Sequence, residues 1–345
     1  MKKINYPFEH IPKKYELVNI ATNLFWLRMP MPFALNHINL WLIEDNDGWT
    51  LIDTGLNFEK SKSYWQQIIK KHLKNKPIKQ VICTHMHPDH MGLSGWLCEQ
   101  FDAQLWMSQG EYEGYQSISS EVANSSTNST AYDFYLSGGA SVEQAKLYDK
   151  YISIYSTFVY PFPRNYKRLI NNEALTLGGH DWQVIIGSGH SPEHVCLWSK
   201  SLNIILSGDQ ILPTISSNVS VYPKEPQANP LNNWLVSCKN YMNLLDNQTL
   251  VLPAHGKPFT NVIHRLDELV TEIENNLKVL IEYCETPKRI IDSFEVLFHK
   301  KINQKTFMLA YGESNAHFNY LMHLGAISSS VDTNNVTWYS SNLKS

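Results

Sequence analysis

The chain has 345 residues, which is enough for one large domain or for a core domain with an appendage. Hydrophobic residues make up 43% of it and charged residues 18%, a composition that favours a buried core and excludes a disordered chain. The 29 Lys and Arg nearly balance the 32 Asp and Glu, so the chain lacks the overall basic field that nucleic-acid-coating proteins need.

The N-terminal segment and the cysteines indicate in which cellular compartment the protein is found. Residues 1–18 contain no apolar run of the length that a secretory signal needs, and no stretch approaches the roughly 18 apolar residues of a membrane span. The five cysteines are odd in number and scattered through apolar segments, which is typical of buried thiols in a reducing compartment. We therefore expect a cytoplasmic protein without a membrane partner.

Strand and helix patterns alternate in the first third of the chain. Two strands over 37–43 and 49–53 flank the turn signal of 45–48, and together they predict a hairpin. Apolar residues at helical spacing predict a helix over 58–75, and a short buried strand follows at 79–83.

A second β-rich region follows an interruption. Four short strands separated by turns are predicted over 174–207, with a further strand at 249–252. Between the two β-rich halves, the segment at about 109–168 contains a polar low-complexity patch and a helical stretch at about 141–160, so we expect an insertion over the scaffold. A long amphipathic helix is predicted over 258–284.

We place a catalytic domain at 1–285 and a small second domain at 286–345. The second domain combines two or three helical patterns with a β-like ending, an arrangement similar to a winged helix. Its charges nearly balance, and its segment at 307–325 is short of Lys and Arg, which disfavours nucleic acid as a partner. We expect self-association into a homo-oligomer through this domain, with DNA binding or a regulatory role as the alternative.

The most informative motif is THMHPDHMG at 84–92, directly after a predicted strand. It contains His85, His87, Asp89 and His90. Alternate residues of an extended segment point the same way, so the first two histidines can bind one metal while the two residues on the following turn reach another. Without a metal, so many imidazoles in a core would leave unsatisfied nitrogens.

Three further ligand candidates stand at the ends of predicted strands. They are His190 in GSGHSPEH, Asp209 in LSGDQ and His255 in LPAHG, each flanked by Gly or Pro. A rigid scaffold presents functional side chains from loops of this kind. Together with the motif, they give the number of ligands needed for two metal ions that share one carboxylate.

The series HxHxDH, GH, GD and AHG resembles the metallo-β-lactamase superfamily, and within it the glyoxalase II, lactonase and ribonuclease Z-like hydrolases, over roughly 18–265. The stretch from GHSPEH to SVYP, with LAYGESNAHFNYLMHLGAI, resembles a bacterial branch of such hydrolases that carries a C-terminal winged-helix-like domain. The resemblance implies an α/β fold of the αββα sandwich type, with two mixed sheets face to face, helices outside and the metal centre at one edge.

The resemblance also implies roles for individual residues. It assigns His85, His87 and His190 to one metal, Asp89, His90 and His255 to a second, and Asp209 to both, together with a bridging hydroxide. Asp53 of LIDTG would support the histidines, and Asp89 would orient the nucleophile and later carry a proton. Mixed nitrogen and oxygen ligation favours two zinc ions, with iron or manganese as alternatives.

Five further histidines are assigned to packing or to the surface rather than to a metal. They are His37, His180, His194, His317 and His323.

The expected reaction is metal-dependent hydrolysis of a small molecule, namely a thioester, a lactone or another ester with an apolar group. β-Lactams are disfavoured as substrates. The commonest metallo-β-lactamases resemble the motif HxHxDR and have a later Cys ligand, whereas this chain has His90 at the position of the Arg and Asp209 at the position of the Cys. Phosphodiester hydrolysis of the ribonuclease Z-like type and persulfide oxidation at a single iron remain alternatives. The many aromatic residues of the insertion either pack it onto the core or line a pocket above the metals.

Overall fold

The computed structural model of the chain describes residues 3–33, 35–73, 76–123 and 129–342. Residues 124–128, in the polar patch of the predicted insertion, lie outside the described residues. The chain forms two compact units. The first comprises Met1–Ser120, Tyr155–Ser217 and Leu244–Arg265, and the second comprises Glu121–Ile154, Asn218–Asn243 and Leu266–Ser345.

The first unit contains a seven-stranded sheet whose spatial order follows the chain. Its strands are β1 (Leu17–Ala21), β2 (Leu24–Pro30), β3 (His37–Asp45), β4 (Gly48–Ile52), β5 (Ile78–Ile82), β6 (Gln104–Met107) and β7 (Lys167–Arg168). Strands β1 to β4 pair antiparallel, and β4 to β7 pair parallel. The sheet is therefore mixed, with its parallel half carrying the HxHxDH segment at the end of β5.

A second, five-stranded sheet has the order β12-β11-β10-β9-β8. Its strands are β8 (Ala174–Leu177), β9 (His180–Gly187), β10 (His194–Ser199), β11 (Ile204–Gly208) and β12 (Leu250–Pro253). All neighbours pair antiparallel except β11 and β12, which pair parallel. The carboxyl ends of these two strands therefore meet at the same edge.

Both units also contain helices. They are α1 (Glu59–His72), α2 (Pro88–Met91), α3 (Ser94–Phe101), α4 (Gln109–Ala123), α5 (Ser129–Ser137), α6 (Val142–Ala145), α7 (Leu147–Thr157), α8 (Pro230–Leu244), α9 (Val262–Tyr283), α10 (Phe294–Leu297) and α11 (Phe307–His323), with a 3₁₀ helix at Ile290–Ser293. Within the described ranges, none of them is long and apolar enough to cross a bilayer.

Strand β3 shows why the two sheets stack. Its alternate residues face opposite sides of the sheet, and both sides are buried. Trp41 belongs to a core shared with Trp182 of the second sheet, whereas Leu40 packs in a different core with Trp65 of α1 and Leu97 of α3. Two mixed sheets face each other with helices outside, so the predicted αββα sandwich is confirmed.

The second unit is organised around α11, whose side chains are buried on most of its faces. The Tyr311 hydroxyl donates to the Phe134 carbonyl at 2.6 Å, which ties α11 to α5. An antiparallel hairpin of β13 (Ile327–Val331) and β14 (Thr337–Ser341) follows the helix. The winged-helix character of the C-terminal part and the boundary between residues 285 and 286 stay predictions.

Several elements match the sequence pattern and others do not. The helix predicted over 58–75 is α1, while the helical stretch at about 141–160 contains two helices, α6 and α7, because a capping box at Ser141 starts a separate short turn. Strands β1 and β2 and helix α8 have no counterpart in the sequence prediction.

Candidate metal centre

The HxHxDH segment leaves the carboxyl end of β5 and enters α2. Pro88 occupies the start of α2, where its missing N–H costs no helical hydrogen bond, so Asp89 and His90 lie on the first turn. The carbonyl of His90 accepts hydrogen bonds from the Thr54 N–H at 2.7 Å and from its hydroxyl at 2.8 Å. This pair of bonds fixes the segment to the end of β4.

The other three predicted ligands project from the second sheet. His190 lies in the loop between β9 and β10, Asp209 directly follows β11, and His255 follows β12. Because β11 and β12 are parallel, Asp209 and His255 emerge at the same edge. The Ala254 N–H donates to the Gly208 carbonyl at 2.9 Å and holds the two loops together.

The structure brings all seven predicted ligands together in two groups. The first group is His85, His87, His190 and Asp209, and the second is Asp89, His90 and His255. Within each group, the ligand atoms lie within 4.8 Å of one another. The seven side chains are buried or partly buried, so little water competes for their ligand atoms.

Asp209 lies between the two groups. Its Oδ1 atom is 3.5 Å from His90 Nε2 and 3.4 Å from His255 Nε2, both in the second group. Its Oδ2 atom is 3.6 Å from His190 Nε2, in the first group. Each carboxylate oxygen therefore faces a different group.

The polar atoms of this cluster satisfy one another only in part. Among the described residues, His90 Nε2 and Asp209 Oδ1 are buried without a hydrogen-bond partner. In the first group, His85 Nε2 lies 2.8 Å from His87 Nδ1 and 3.2 Å from His190 Nε2. Buried polar groups normally have partners, and converging imidazole nitrogens beside a carboxylate are what a divalent cation binds. The residues present therefore fit metal ions.

The protonation states also suit metal binding in the first group. Burial lowers the pKa of His87 to about 3 and shifts that of His85 in the same direction, so both imidazoles are neutral, the form that binds a metal. His90 behaves differently: burial opposes its charge, but Asp53 and Asp209 raise its pKa above the usual value. A cation at this position would replace that proton.

Asp53 contacts the second group. Its Oδ2 atom lies 2.7 Å from His90 Nδ1, and it also accepts from the Thr84 N–H at 2.8 Å and hydroxyl at 2.9 Å. A carboxylate on one imidazole nitrogen fixes which nitrogen is free for the metal. His90 therefore presents Nε2 to the centre.

Sequence reasoning missed several residues that hold the ligand loops. His194 Nε2 accepts the backbone N–H of Asp209 at 3.1 Å, so this histidine orients a ligand. The buried Asn39 donates to the Pro253 and Gly256 carbonyls at 2.9 and 3.0 Å and so holds the loop of His255. These contacts join side chains to backbone groups that are distant in the sequence. No spacing of residues in the sequence predicts such contacts.

Aromatic residues border the centre. Tyr155 of α7 packs edge-on against His87, with ring centroids 6.5 Å apart, and its hydroxyl donates to the Met86 carbonyl at 2.6 Å. Phe158 packs against Phe33 and Phe58, with centroids 5.6 and 5.2 Å apart. The part of the predicted insertion that holds Tyr155 therefore lies beside the metal ligand His87.

The sandwich fold and the His/Asp cluster together define a metal-dependent hydrolase. The family model described as "Metallo-beta-lactamase superfamily" matches residues 35–255, and the chain belongs to this superfamily. A second model, "Metallo-beta-lactamase-like, C-terminal domain", matches residues 277–342.

Two of three similar proteins cover nearly the whole chain. The crystal structure of a β-lactamase domain protein from Burkholderia ambifaria has a TM-score of 0.89 and 36% identity, covering 98% of both chains. The Bacillus subtilis protein named "Probable metallo-hydrolase YqjP" is 26% identical over 327 residues, which are 90% of this chain and 95% of that protein. The human acyl-coenzyme A thioesterase MBLAC2 is 21% identical over 71% of this chain and 82% of its own length.

Proposed function

We propose that the chain is a dinuclear hydrolase that cleaves a thioester, or a related ester, with an apolar acyl group. The observation that carries the dinuclear part is the position of Asp209, whose two carboxylate oxygens face different groups of histidines at 3.4–3.6 Å. A carboxylate placed in this way would be a ligand shared by two metal positions. The nitrogen and oxygen donors favour zinc, with iron and manganese as the alternatives.

Two bound cations supply a water that is activated near neutral pH and a positive charge for the carbonyl oxygen of the substrate. The chain's own residues would hold these cations and orient the water. His85, His87 and His190 would hold one cation as neutral imidazoles, and Asp89, His90 and His255 would hold the other. Asp209 would be a ligand of both.

Asp89 is also the group that orients the attacking water and takes its proton. Its Oδ2 atom lies 3.4 Å from His255 Nε2 and 3.7 Å from His90 Nε2, at the edge of the second group. Burial opposes ionisation, yet these two imidazoles lower the pKa of Asp89, so the carboxylate is ionised at neutral pH. The same carboxyl then returns the proton to the departing thiol or alcohol.

The aromatic border supports an apolar acyl group. Phe33 is 48% exposed and Leu35 is 39% exposed on the loop between β2 and β3, whose end at His37 contacts His255. The Gly92 carbonyl, at the end of the ligand segment, accepts the Tyr160 N–H at 2.8 Å, which keeps Phe158 close to the same site. The similarity to a human acyl-coenzyme A thioesterase agrees with this substrate class.

The experiment is a substrate panel on zinc-loaded protein, containing acyl thioesters of increasing chain length, lactones, a phosphodiester and RNA. We expect the largest kcat/KM on thioesters with apolar acyl groups, and loss of that activity in Asp89→Asn protein that still contains zinc. Preferential cleavage of the phosphodiester or RNA would replace this proposal with the ribonuclease Z-like one. Persulfide-dependent oxygen uptake by the iron-loaded protein would replace it with the oxidative one.

A further inference from the structure

Glu111, on the first turn of α4, is fully buried although it carries a carboxylate. Its Oε2 atom accepts the backbone N–H of Met86 at 2.9 Å, and its Oε1 atom accepts the backbone N–H of Glu193 at 2.8 Å. One side chain therefore holds two backbone segments that are more than 100 residues apart in sequence. Nothing in the proposed chemistry uses it directly.

Glu193 also accepts hydrogen bonds from residues at the start of α4. Its Oε2 atom accepts the Gly110 N–H at 2.7 Å, and its carbonyl accepts the Ser108 hydroxyl at 2.6 Å. A Cβ atom on Gly110 would lie 2.9 Å from the Glu193 Cγ atom, so the close approach favours glycine there. The two glutamates thus form a closed set of hydrogen bonds between α4 and the loop after β9.

Both segments held by Glu111 carry ligands of the first group. Met86 stands between His85 and His87, and Glu193 stands three residues after His190. Of the second group, His90 has its own contacts, because its ring faces Asp53 and its carbonyl accepts from Thr54. The hydrogen bonds of Glu111 therefore join the two segments that supply the histidines of the first group.

We propose that Glu111 is a positioning residue for the metal position formed by His85, His87 and His190. This inference rests on the dinuclear site proposed above and adds the residue that sets one half of it. A carboxylate suits the task because each of its oxygens accepts one N–H. Burial raises the pKa of Glu111 to about 7 even though the hydrogen bonds oppose the shift, so a carboxyl at this place costs stability that an apolar side chain would spare.

The test compares zinc binding to Glu111→Gln with two matched variants. Glutamine keeps the size of the side chain but has one acceptor oxygen, and its NH₂ group would face a backbone N–H. Glu193→Gln is the internal control, because the Glu193 carboxylate accepts one backbone N–H that an amide oxygen can also accept. Glu113→Gln, exposed on the same helix, is the surface control.

Zinc affinity is measured by competition with a chromogenic chelator. We expect the unmodified chain and both controls to bind two zinc ions, and Glu111→Gln to bind one unchanged and the other about 10- to 100-fold more weakly. Adding His255→Ala to Glu111→Gln removes the remaining zinc, whereas adding His87→Ala does not. If Glu111→Gln yields little folded protein by circular dichroism, Glu111→Asp keeps both acceptors and gives a smaller loss at the same position.

Two results would overturn the inference while leaving the dinuclear site intact. They are unchanged binding of both zinc ions to Glu111→Gln, and equal weakening of both. A different result, fewer than two zinc ions on the unmodified chain, would overturn the dinuclear site itself and this inference with it.

Discussion

Asp53 Oδ2 lies 2.7 Å from His90 Nδ1, and both side chains are almost completely buried. Asp53 adopts a φ of +62°, a backbone conformation that residues other than glycine rarely take. The backbone is therefore strained at the residue whose carboxylate contacts the imidazole. Strain of this kind persists where surrounding contacts enforce it, here the two hydrogen bonds from Thr84.

Asp53→Asn should weaken zinc binding at the position of Asp89, His90 and His255 by about 10- to 100-fold. The amide NH₂ of asparagine would face His90 Nδ1 and move the ring proton to Nε2, the nitrogen that faces Asp209. Chelator competition measures the loss. Asp181→Asn, at an exposed position of β9, is the control, and equal affinities in the two variants would contradict the role of Asp53.

Phe33→Ala should raise KM for long-chain acyl thioesters about fivefold and leave the acetyl thioester unchanged. The ring is 48% exposed, so its loss removes contact with a substrate chain worth about 1 kcal/mol rather than core packing. Steady-state kinetics over a series of chain lengths measures the effect. Ile170→Ala, at 56% exposure, is the control, and the same change for acetyl and long-chain substrates would show that Phe33 does not contact the acyl group.

Gly208→Ala should destabilise the chain by about 2–4 kcal/mol, combining backbone strain with overpacking. Gly208 has a φ of +50°, and a Cβ there would lie 2.5 Å from Cε1 of His194, the ring that accepts the Asp209 N–H. Gly179→Ala isolates the strain, since Gly179 has a φ of +76° with no atom within 4 Å of a Cβ, and it should cost only about 1–2 kcal/mol. Urea unfolding of both variants gives the values, and equal losses would argue against the clash with His194.

Glu313 should make the stability of the second unit fall as the pH rises from about 5 to 8. Burial, helped by Glu272 and opposed by the hydrogen bond from Asn218, raises the pKa of Glu313 to about 7. Between the usual carboxyl pKa and this value, the folded chain holds a proton that the unfolded chain has released, so raising the pH through this window lowers the free energy of unfolding.

Glu313→Gln removes this pH dependence and keeps an acceptor for Asn218. Relative to the unmodified chain, the variant should gain roughly 1–3 kcal/mol between pH 5 and pH 8, because each unit of pKa shift corresponds to about 1.4 kcal/mol. Urea unfolding of the metal-free chains at several pH values excludes a contribution from zinc release. Glu274→Gln, exposed on α9, should keep the original slope, and a slope that persists in Glu313→Gln would assign it to other groups.

The sequence could predict which seven side chains lie together, because they stand in short motifs at strand ends. His85 to His90 stand within one segment, and Gly or Pro marks His190, Asp209 and His255. It could not predict Glu111 or Asn39, whose side chains bind backbone groups that any residue supplies. Nor could it predict that 121–154 and 218–243 join the C-terminal region in one compact unit, since the pairing depends on packing between distant segments.

We expect two cations to share Asp209 and both to be needed for hydrolysis. The most direct measurement is a stepwise zinc titration of the metal-free chain, with hydrolysis of a long-chain acyl thioester followed at each step. We predict that two zinc ions bind per chain and that hydrolysis rises in proportion to the chains that hold both. Full activity with one zinc ion per chain, or two bound zinc ions without hydrolysis of any ester or thioester, would contradict the account.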